Sequence, residues 1–217
     1  ATQQSLSTIG LYPELLGADQ YVRILNTILN WQPDAGWKDR VVPECDPTQL
    51  IRDQLLDYDN AIELDEKGLW LGHKRVKTLS AKRTPDYFYF GSAKSYLGDI
   101  LSGTRGIRQN ALLSLTLHYP DAESTRTRQE GVRQFITNQV NTPIARFLPV
   151  LVQRKHHFDV LFDAYRDGDR PIRAYFGVLL FCDEAEEAAA VSNARVYFRE
   201  LGFQLLEDKY FCLPFFL

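Results

Sequence analysis

The segment that most constrains the fold is Ile172 to Phe181, which is apolar at nearly every position. A short run of this kind is typical of a central strand that is covered on both faces of its sheet. A helical pattern follows, with Asp183 and Glu186 in capping-box positions and Gly202 placed to end it. Its predicted buried stripe comprises Ala190, Val191, Ala194, Tyr197, Phe198 and Leu201. Because 203–206 then reads as a strand, we predict a β-α-β unit from 172 to 206.

A second, weaker β-α-β unit is predicted through residues 76–118. Val76 to Ala81 reads as its first strand, and Gly91 to Ser102 as a short helix. Ala111 to Tyr119 alternates apolar and polar residues, so we predict a strand with one buried face and one mostly solvated face. In front of this unit, a polar loop at Asp65 to Gly68 joins two short strand patterns and predicts a β-hairpin.

A long helical pattern separates the two β-α-β units. Ala122 to Tyr165 carries two apolar stripes and predicts two helices, and Thr142-Pro143 supplies an N-cap and a first-turn proline for the second one. Pro149 is expected to kink this helix or to lie in its first turn. The predicted fold class is α+β, with split ferredoxin-like β-α-β units on a mixed sheet and a helical insertion at 122–166.

The domain organisation follows from the same patterns. Ala18 to Trp31 has a helical stripe formed by Tyr21, Ile24, Leu25 and Ile28, and the proline- and glycine-containing stretch 32–48 follows it. We predict residues 1–47 to be an N-terminal helix with its connection and residues 48–217 to be the α+β domain. The chain has no methionine and stops on an apolar run, so we expect it to be a piece of a longer protein.

Charge and cysteine content exclude several classes of protein. The formal net charge is -3 and the pI is about 5.8, which is unfavourable for a dedicated nucleic-acid-binding protein. The three cysteines are far apart and lack C-x-x-C spacing, which argues against a disulfide scaffold or a zinc ribbon. No apolar run approaches the roughly 20 residues of a membrane-spanning helix.

The motifs that could carry chemistry fail on spacing. Gly91 to Ser95 lacks the glycines that a phosphate-binding loop requires around its lysine. His156 and His157 are neighbours and would point about 100° apart on a helix, so they are poorly placed to share a metal ion. Asp163, Asp167 and Asp169 lack the downstream glutamate of a calcium loop and predict a helix end. We therefore predict no catalytic, cofactor-binding or metal-binding residue in this chain.

A basic strip, defined as Lys74, Arg75, Lys77, Lys82 and Arg83, is the candidate interaction site. It could balance the acidic cluster at 53–66 within the fold, or it could meet anionic lipid or an acidic partner. Exposed surface charges contribute only about 0 to 1 kcal/mol each to stability. On that basis the strip is expected to contribute to docking and not to folding, so that neutralising it should barely change the melting temperature.

Several stretches spread along the chain resemble the N-terminal region of the TraC class of type IV secretion ATPases. This class comprises conjugative transfer and pilus-assembly proteins of Gram-negative plasmids and integrative conjugative elements. The stretches that carry the resemblance are Leu50-Ile51-Arg52-Asp53-Gln54-Leu55, Gly68-Leu69-Trp70-Leu71-Gly72, Leu113-Ser114-Leu115-Thr116-Leu117, Phe147-Leu148-Pro149, Tyr175-Phe176-Gly177-Val178-Leu179-Leu180-Phe181, Leu201-Gly202-Phe203-Gln204-Leu205 and Cys212-Leu213-Pro214-Phe215.

The resemblance implies a non-catalytic assembly domain. In this class the nucleotide-binding motifs lie C-terminal to the matching region, so ATP and Mg²⁺ are expected only in a C-terminal motor domain, and no catalytic residue is carried over to this chain. The implied partners are inner-membrane secretion components and further copies of the full-length protein, without direct nucleic-acid binding. The implied location is cytoplasmic and peripheral to the bacterial inner membrane.

A single-strand nucleic-acid module on a ferredoxin-like sheet is the alternative. It rests on Arg173 to Leu180, which resembles the aromatic RNA-stacking strand of an RNA-recognition motif. Tyr175 and Phe176 are neighbours on this strand and are predicted to face opposite sides of the sheet. Only one of the two rings could then stack on a base.

Overall fold

The structure is a computed structural model, and it describes residues 12, 14–39, 45–87, 95–96, 98, 105–210 and 212. Within these residues the chain forms six strands and four α-helices. The strands are β1 (Ile62–Asp65), β2 (Gly68–Leu71), β3 (Lys74–Arg83), β4 (Asn110–His118), β5 (Arg173–Cys182) and β6 (Gln204–Glu207). The helices are α1 (Ala18–Leu29), α2 (Ala122–Val140), α3 (Pro149–Arg166) and α4 (Glu187–Glu200). The predicted α+β class is confirmed.

The strands form one sheet in the order β1-β2-β3-β5-β4, and β6 pairs with β3. β5 occupies one edge of β3, so β2 and β6 share the other edge, at residues 74–76 and 79–83 respectively. These pairs and the β1–β2 pair are antiparallel. β5 thus lies between β3 and β4, the two strands of the β-α-β unit predicted at 76–118, and β3 lies between β5 and β6, the two strands of the unit predicted at 172–206. This is the predicted split arrangement.

The chain divides into two compact units. The first unit contains residues 1–113 and 177–217, and the second unit contains residues 114–176. Helices α1 and α4 belong to the first unit, whereas α2 and α3 belong to the second. The boundary predicted at residue 47 rests on sequence pattern, whereas these two units are defined by compactness. That boundary therefore stays a prediction.

The sheet of the first unit is covered on both faces. On one face Leu69, Leu71, Val76, Leu179, Phe181 and Cys212 form a buried cluster, against which Ile28 of α1 and Trp31 pack. The Trp31 ring stacks on that of Phe181 with their centroids 5.2 Å apart. On the other face α4 buries Ala190, Val191, Ala194, Tyr197 and Phe198, which are five residues of its predicted stripe. Apolar burial on both faces is what stabilises a central strand such as β5.

Helix α1 buries only part of the stripe that its apolar pattern predicts, since Leu25 and Ile28 are half-buried. Tyr21 and Ile24 are nearly half exposed, at 46% and 45%, whereas Val22 and Asn26 are buried. The physical reason is a set of hydrogen bonds made by a buried polar side chain. Asn30, fully buried at the C-cap, donates to the carbonyl oxygens of Asn26 and Leu55 and accepts from a backbone N–H further along the chain. These bonds determine the orientation of the helix because buried polar groups must be satisfied.

The second unit contains the two predicted helices, but the second of them begins later than its sequence indicates. Thr142 and Pro143 start a short 3-10 turn, Pro143–Phe147, and α3 begins at Pro149. Proline has no N–H to donate and is well suited to a first helical position, so Pro149 marks the start of α3. Two contacts join α2 to α3. Arg133 lies over the Phe162 ring, 4.7 Å from its centroid, and the Tyr165 hydroxyl donates to Gln129.

Strand β4 forms where its alternation predicts it, but the predicted burial of one face is wrong. Eight of its nine residues are exposed, and Leu113 is half-buried. Alternation of apolar and polar residues specifies a strand, whereas burial also requires an element that covers the apolar face. Leu115 and Leu117 are 44% and 46% exposed.

Candidate functional site

The basic strip begins on β3, whose side chains alternate between the two faces of the sheet. Arg75 and Lys77 point to the face that α4 covers, whereas Val76 points to the apolar cluster on the opposite face. The side chains of Arg75 and Lys77 are only 1% exposed. A buried cation is costly unless it is paired and hydrogen-bonded, so the partners of these two residues decide what the site can do.

Arg75 is held by two carboxylates and an aromatic ring. Its two terminal nitrogens donate to the Asp65 carboxylate at 2.5 and 2.6 Å in a bidentate pair. Its Nε lies 3.2 Å from Glu187 Oε2. The guanidinium carbon is 4.8 Å from the centroid of the Trp70 ring, directly across the β2–β3 pair. A planar guanidinium suits both the fork geometry and the stacked ring, whereas lysine would match neither.

Lys77 is held by three oxygen acceptors. Its Nζ lies 2.8 Å from Glu187 Oε1 and 2.7 Å from Glu207 Oε1, and it also donates to the Lys67 carbonyl oxygen. Glu187 therefore bridges the two buried cations, one with each carboxylate oxygen. Glu187 is the first residue of α4, where a negative charge also interacts favourably with the helix dipole. We call Asp65, Arg75, Lys77, Glu187 and Glu207 the ion-pair network.

The network keeps its two cations protonated and the Asp65 carboxylate ionised. Hydrogen bonds from Arg75 hold the pKa of Asp65 well below its usual range, and the backbone N–H groups of Lys67 and Gly68 lower it further. Burial alone would lower the pKa of Lys77, but Glu187 and Glu207 outweigh burial and raise it. The pKa of Arg75 is likewise raised against the effect of burial, chiefly by Asp65. Neither cation is poised to exchange a proton near neutral pH.

The remaining residues of the basic strip lie in different surroundings. Lys74 pairs with Asp183 at 2.6 Å, and its side chain is 20% exposed. Lys82 and Arg83 are exposed, and Arg83 reaches Asp86 only at 3.9 Å. The expectation of one exposed basic surface is therefore wrong for Arg75 and Lys77. The interaction role of Lys74, Lys82 and Arg83 stays a prediction.

The arrangement links elements that are distant in sequence. Arg75 connects the β1–β2 hairpin to β3, and Lys77 connects β3 to α4 and β6. Beside the network is an open cleft of about 230 Å³ lined by Trp70, Arg75 and several carboxylates. Sequence reasoning missed Asp65, Glu187 and Glu207 as specific partners. The sequence did contain a signal that these two cations share surroundings, because residues two apart on a strand lie on the same face of the sheet.

The other sequence candidates lie where simple packing explains them. The His156 and His157 rings are 6.4 Å apart and tilted by 47°. Asp167 is the C-cap of α3, and Gly168 follows with a positive φ, which is the predicted helix end. In the parts of the chain that the structure describes, three or more potential metal ligands do not cluster anywhere. Most of the stretch from Gly91 to Ser95 lies outside the described residues.

The sheet aromatics bear on the nucleic-acid alternative. Tyr175 is 60% exposed and Phe176 is 7% exposed, so the two rings do face opposite sides of β5. Tyr175 is then the one exposed aromatic residue on this strand, which gives little stacking surface for bases.

Whether a helix could span a membrane depends on its length and its hydropathy. Among the helices in the described ranges, none is both long enough and apolar enough to cross a bilayer.

Comparison with known proteins supplies the identification. A search of curated proteins found no match. The family model described as TraC protein matches residues 1–217. The match runs through the hairpin, the sheet and the helical insertion alike. Because it covers the whole chain, the protein belongs to the TraC family of conjugative transfer and type IV secretion.

Proposed function

We propose that this chain is a non-catalytic N-terminal assembly domain of a conjugative type IV secretion ATPase. In this proposal it docks the motor to inner-membrane components and to neighbouring subunits during pilus assembly and DNA transfer. Family membership supports the setting. The proposal places ATP and Mg²⁺ in a separate motor domain and the protein on the cytoplasmic side of the inner membrane.

The observation that carries the proposal is the amount of apolar side chain left exposed outside the packed sheet of the first unit. On α2, Val132 and Phe135 are 43% and 62% exposed, and on β4 Leu115 and Leu117 are similarly open. Grouped apolar exposure of this kind marks surfaces that contact another molecule. The ion-pair network points the same way, because its charged groups are committed to holding the fold and not to a reaction.

The test is recovery of partners by the parent protein. Phe135→Ser combined with Leu117→Ser should reduce co-purification with inner-membrane secretion components and lower the frequency of conjugation. The control is Tyr58→Ser, which changes a fully exposed aromatic residue in the first unit. If partner recovery and transfer are normal in the double variant, these surfaces are not the docking sites and the proposal loses its support.

A further inference from the structure

The turn between α2 and α3 presents a second feature, which we call the hairpin tip and define as residues 143–154. Four large apolar side chains lie open within six residues: Phe147 is 84% exposed, Leu148 47%, Val150 55% and Val152 52%. Apolar residues exposed one at a time are normal on protein surfaces, but a group of this size is not.

The hairpin tip and the residues next to it carry positive charge without any acidic residue. Between Glu130 and Asp159 the sequence contains no Asp or Glu, although the whole chain has 28 of them. The two flanking acids pair with Arg133, and Asp159 also pairs with Lys155 at 3.1 Å. The tip itself contributes the exposed Arg154, and therefore combines exposed apolar groups with positive charge.

The positions of the apolar groups distinguish between kinds of partner. Successive residues of an α-helix are about 100° apart, so Val150 and Val152 lie about 200° apart around the first turn of α3. Both are more than half exposed. A folded protein surface would cover one side of this turn, whereas lipid can surround it on all sides.

We propose that the hairpin tip inserts into the head-group region of a membrane that contains anionic lipid. The apolar side chains enter the acyl boundary, and the Arg154 guanidinium remains at the level of the phosphates. This inference rests on the proposed function, since it adds a direct lipid contact to an assembly domain that works at the inner membrane.

The experiment is flotation of the 217-residue chain with vesicles of phosphatidylcholine containing 30% phosphatidylglycerol. We expect the chain to float with these vesicles, to do so at least tenfold less with pure phosphatidylcholine, and to be released at about 1 M salt because short screening lengths remove the electrostatic attraction. Phe147→Ser combined with Val150→Ser should lower partitioning at least tenfold, because each lost apolar side chain removes a large share of the insertion free energy. Arg154→Gln should lower it several-fold.

The matched control is Tyr58→Ser combined with Val196→Ser, which removes an exposed aromatic and an exposed valine from the first unit and should leave flotation unchanged. Equal flotation with neutral and anionic vesicles, or an equal loss in both double variants, would overturn the proposal. So would a wild-type dimer in light scattering that the hairpin-tip variant abolishes, since the tip would then be an interface between copies. The vesicles contain no secretion component, so a failure in this experiment leaves protein docking by the parent unaffected, and loss of protein docking leaves flotation unaffected.

Discussion

Lys77 illustrates at the residue scale how this protein uses buried charge. Its ammonium group is removed from water, and that cost is offset by two carboxylates and a carbonyl oxygen within hydrogen-bonding reach. Removing the ammonium leaves Glu187 and Glu207 facing each other without a cation between them. Their side chains are 21% and 24% exposed, so water can screen only part of that repulsion.

We therefore predict that Lys77→Met destabilises the protein by about 3 kcal/mol, near the lower end of the range for breaking a buried ion pair. The measurement is the free energy of unfolding from urea denaturation. Lys82→Met on the same strand is the control, and it should change stability by less than about 0.5 kcal/mol because Lys82 is exposed. Equal effects of the two substitutions would show that the ion-pair network does not stabilise the fold.

Asp65 gives the network a dependence on pH. Because Arg75 lowers the pKa of Asp65, the folded protein binds this proton more weakly than the unfolded chain does. The stabilisation is therefore complete above the unfolded pKa of about 3.9 and is lost as the pH falls below it toward the folded pKa.

We predict that Asp65→Asn is less stable than the wild type at pH 7 and that the difference narrows as the pH falls below about 4. Urea denaturation at several values between pH 7 and pH 3 measures it. A stability difference that stays constant over this interval would contradict the assigned role of Asp65.

At the element scale, the β2–β3 hairpin depends on a single glycine. Gly72 follows β2 with a φ of +56°, as is typical of the first central position of a type II′ turn. A Cβ at this position would lie 2.6 Å from the Gln32 nitrogen and 2.9 Å from the Trp31 carbonyl carbon. The close approach brings the end of α1 against the hairpin, next to the stacked Trp31 and Phe181 rings.

We predict that Gly72→Ala destabilises the protein by about 3 kcal/mol, through backbone strain and overpacking together. Gly168→Ala separates the two effects, because Gly168 also has a positive φ, of +94°, but has open space around its Cβ position. That control should cost only about 1 kcal/mol. Thermal denaturation compares them, and equal losses would mean that the contact with Gln32 is unimportant.

Helices and strands with a strong hydrophobic period were predictable from the sequence. The face that each element buries and the partners of its polar side chains were less predictable. Helix α4 buries its predicted stripe because one apolar set fits one period of 3.6 residues. In α1, a buried asparagine overrides the apolar stripe, and hydropathy contains no signal for such a bond. Gly68, at the end of the predicted hairpin loop, is needed for space and not for a positive φ, since a Cβ there would lie 2.7 Å from the Val76 carbonyl oxygen.

The candidate site shows the same limit. The basic residues of β3 were recognised, but treating them as one strip ignored the period of two that places Arg75 and Lys77 on the face covered by α4. Their carboxylate partners come from residues 65, 187 and 207, and such distant pairings follow from the topology and not from local pattern.

At the scale of the whole molecule, charge is used mainly to connect elements within the first unit. This use and the spacing of the sequence motifs lead us to expect no nucleotide site in this chain. A phosphate-binding loop needs a glycine directly before its lysine, and Ala93 precedes Lys94.

We predict that titration calorimetry of the chain with ATP and Mg²⁺ gives no heat beyond dilution. The positive control is the full-length parent, in which the proposed motor domain should bind. A saturable heat from this chain with a dissociation constant in the micromolar range would refute the prediction.

The position of β5 beside β3 also determines when the sheet can be completed during synthesis. Val76 pairs with Phe181, and the whole second unit is translated between them. At about 5–20 residues per second, β3 leaves the ribosome on the order of 5 to 20 seconds before β5 does. Over that time Arg75 can already meet Asp65 in the hairpin, but the Lys77 ammonium group lacks both of its carboxylate partners until residues 187–207 have been made.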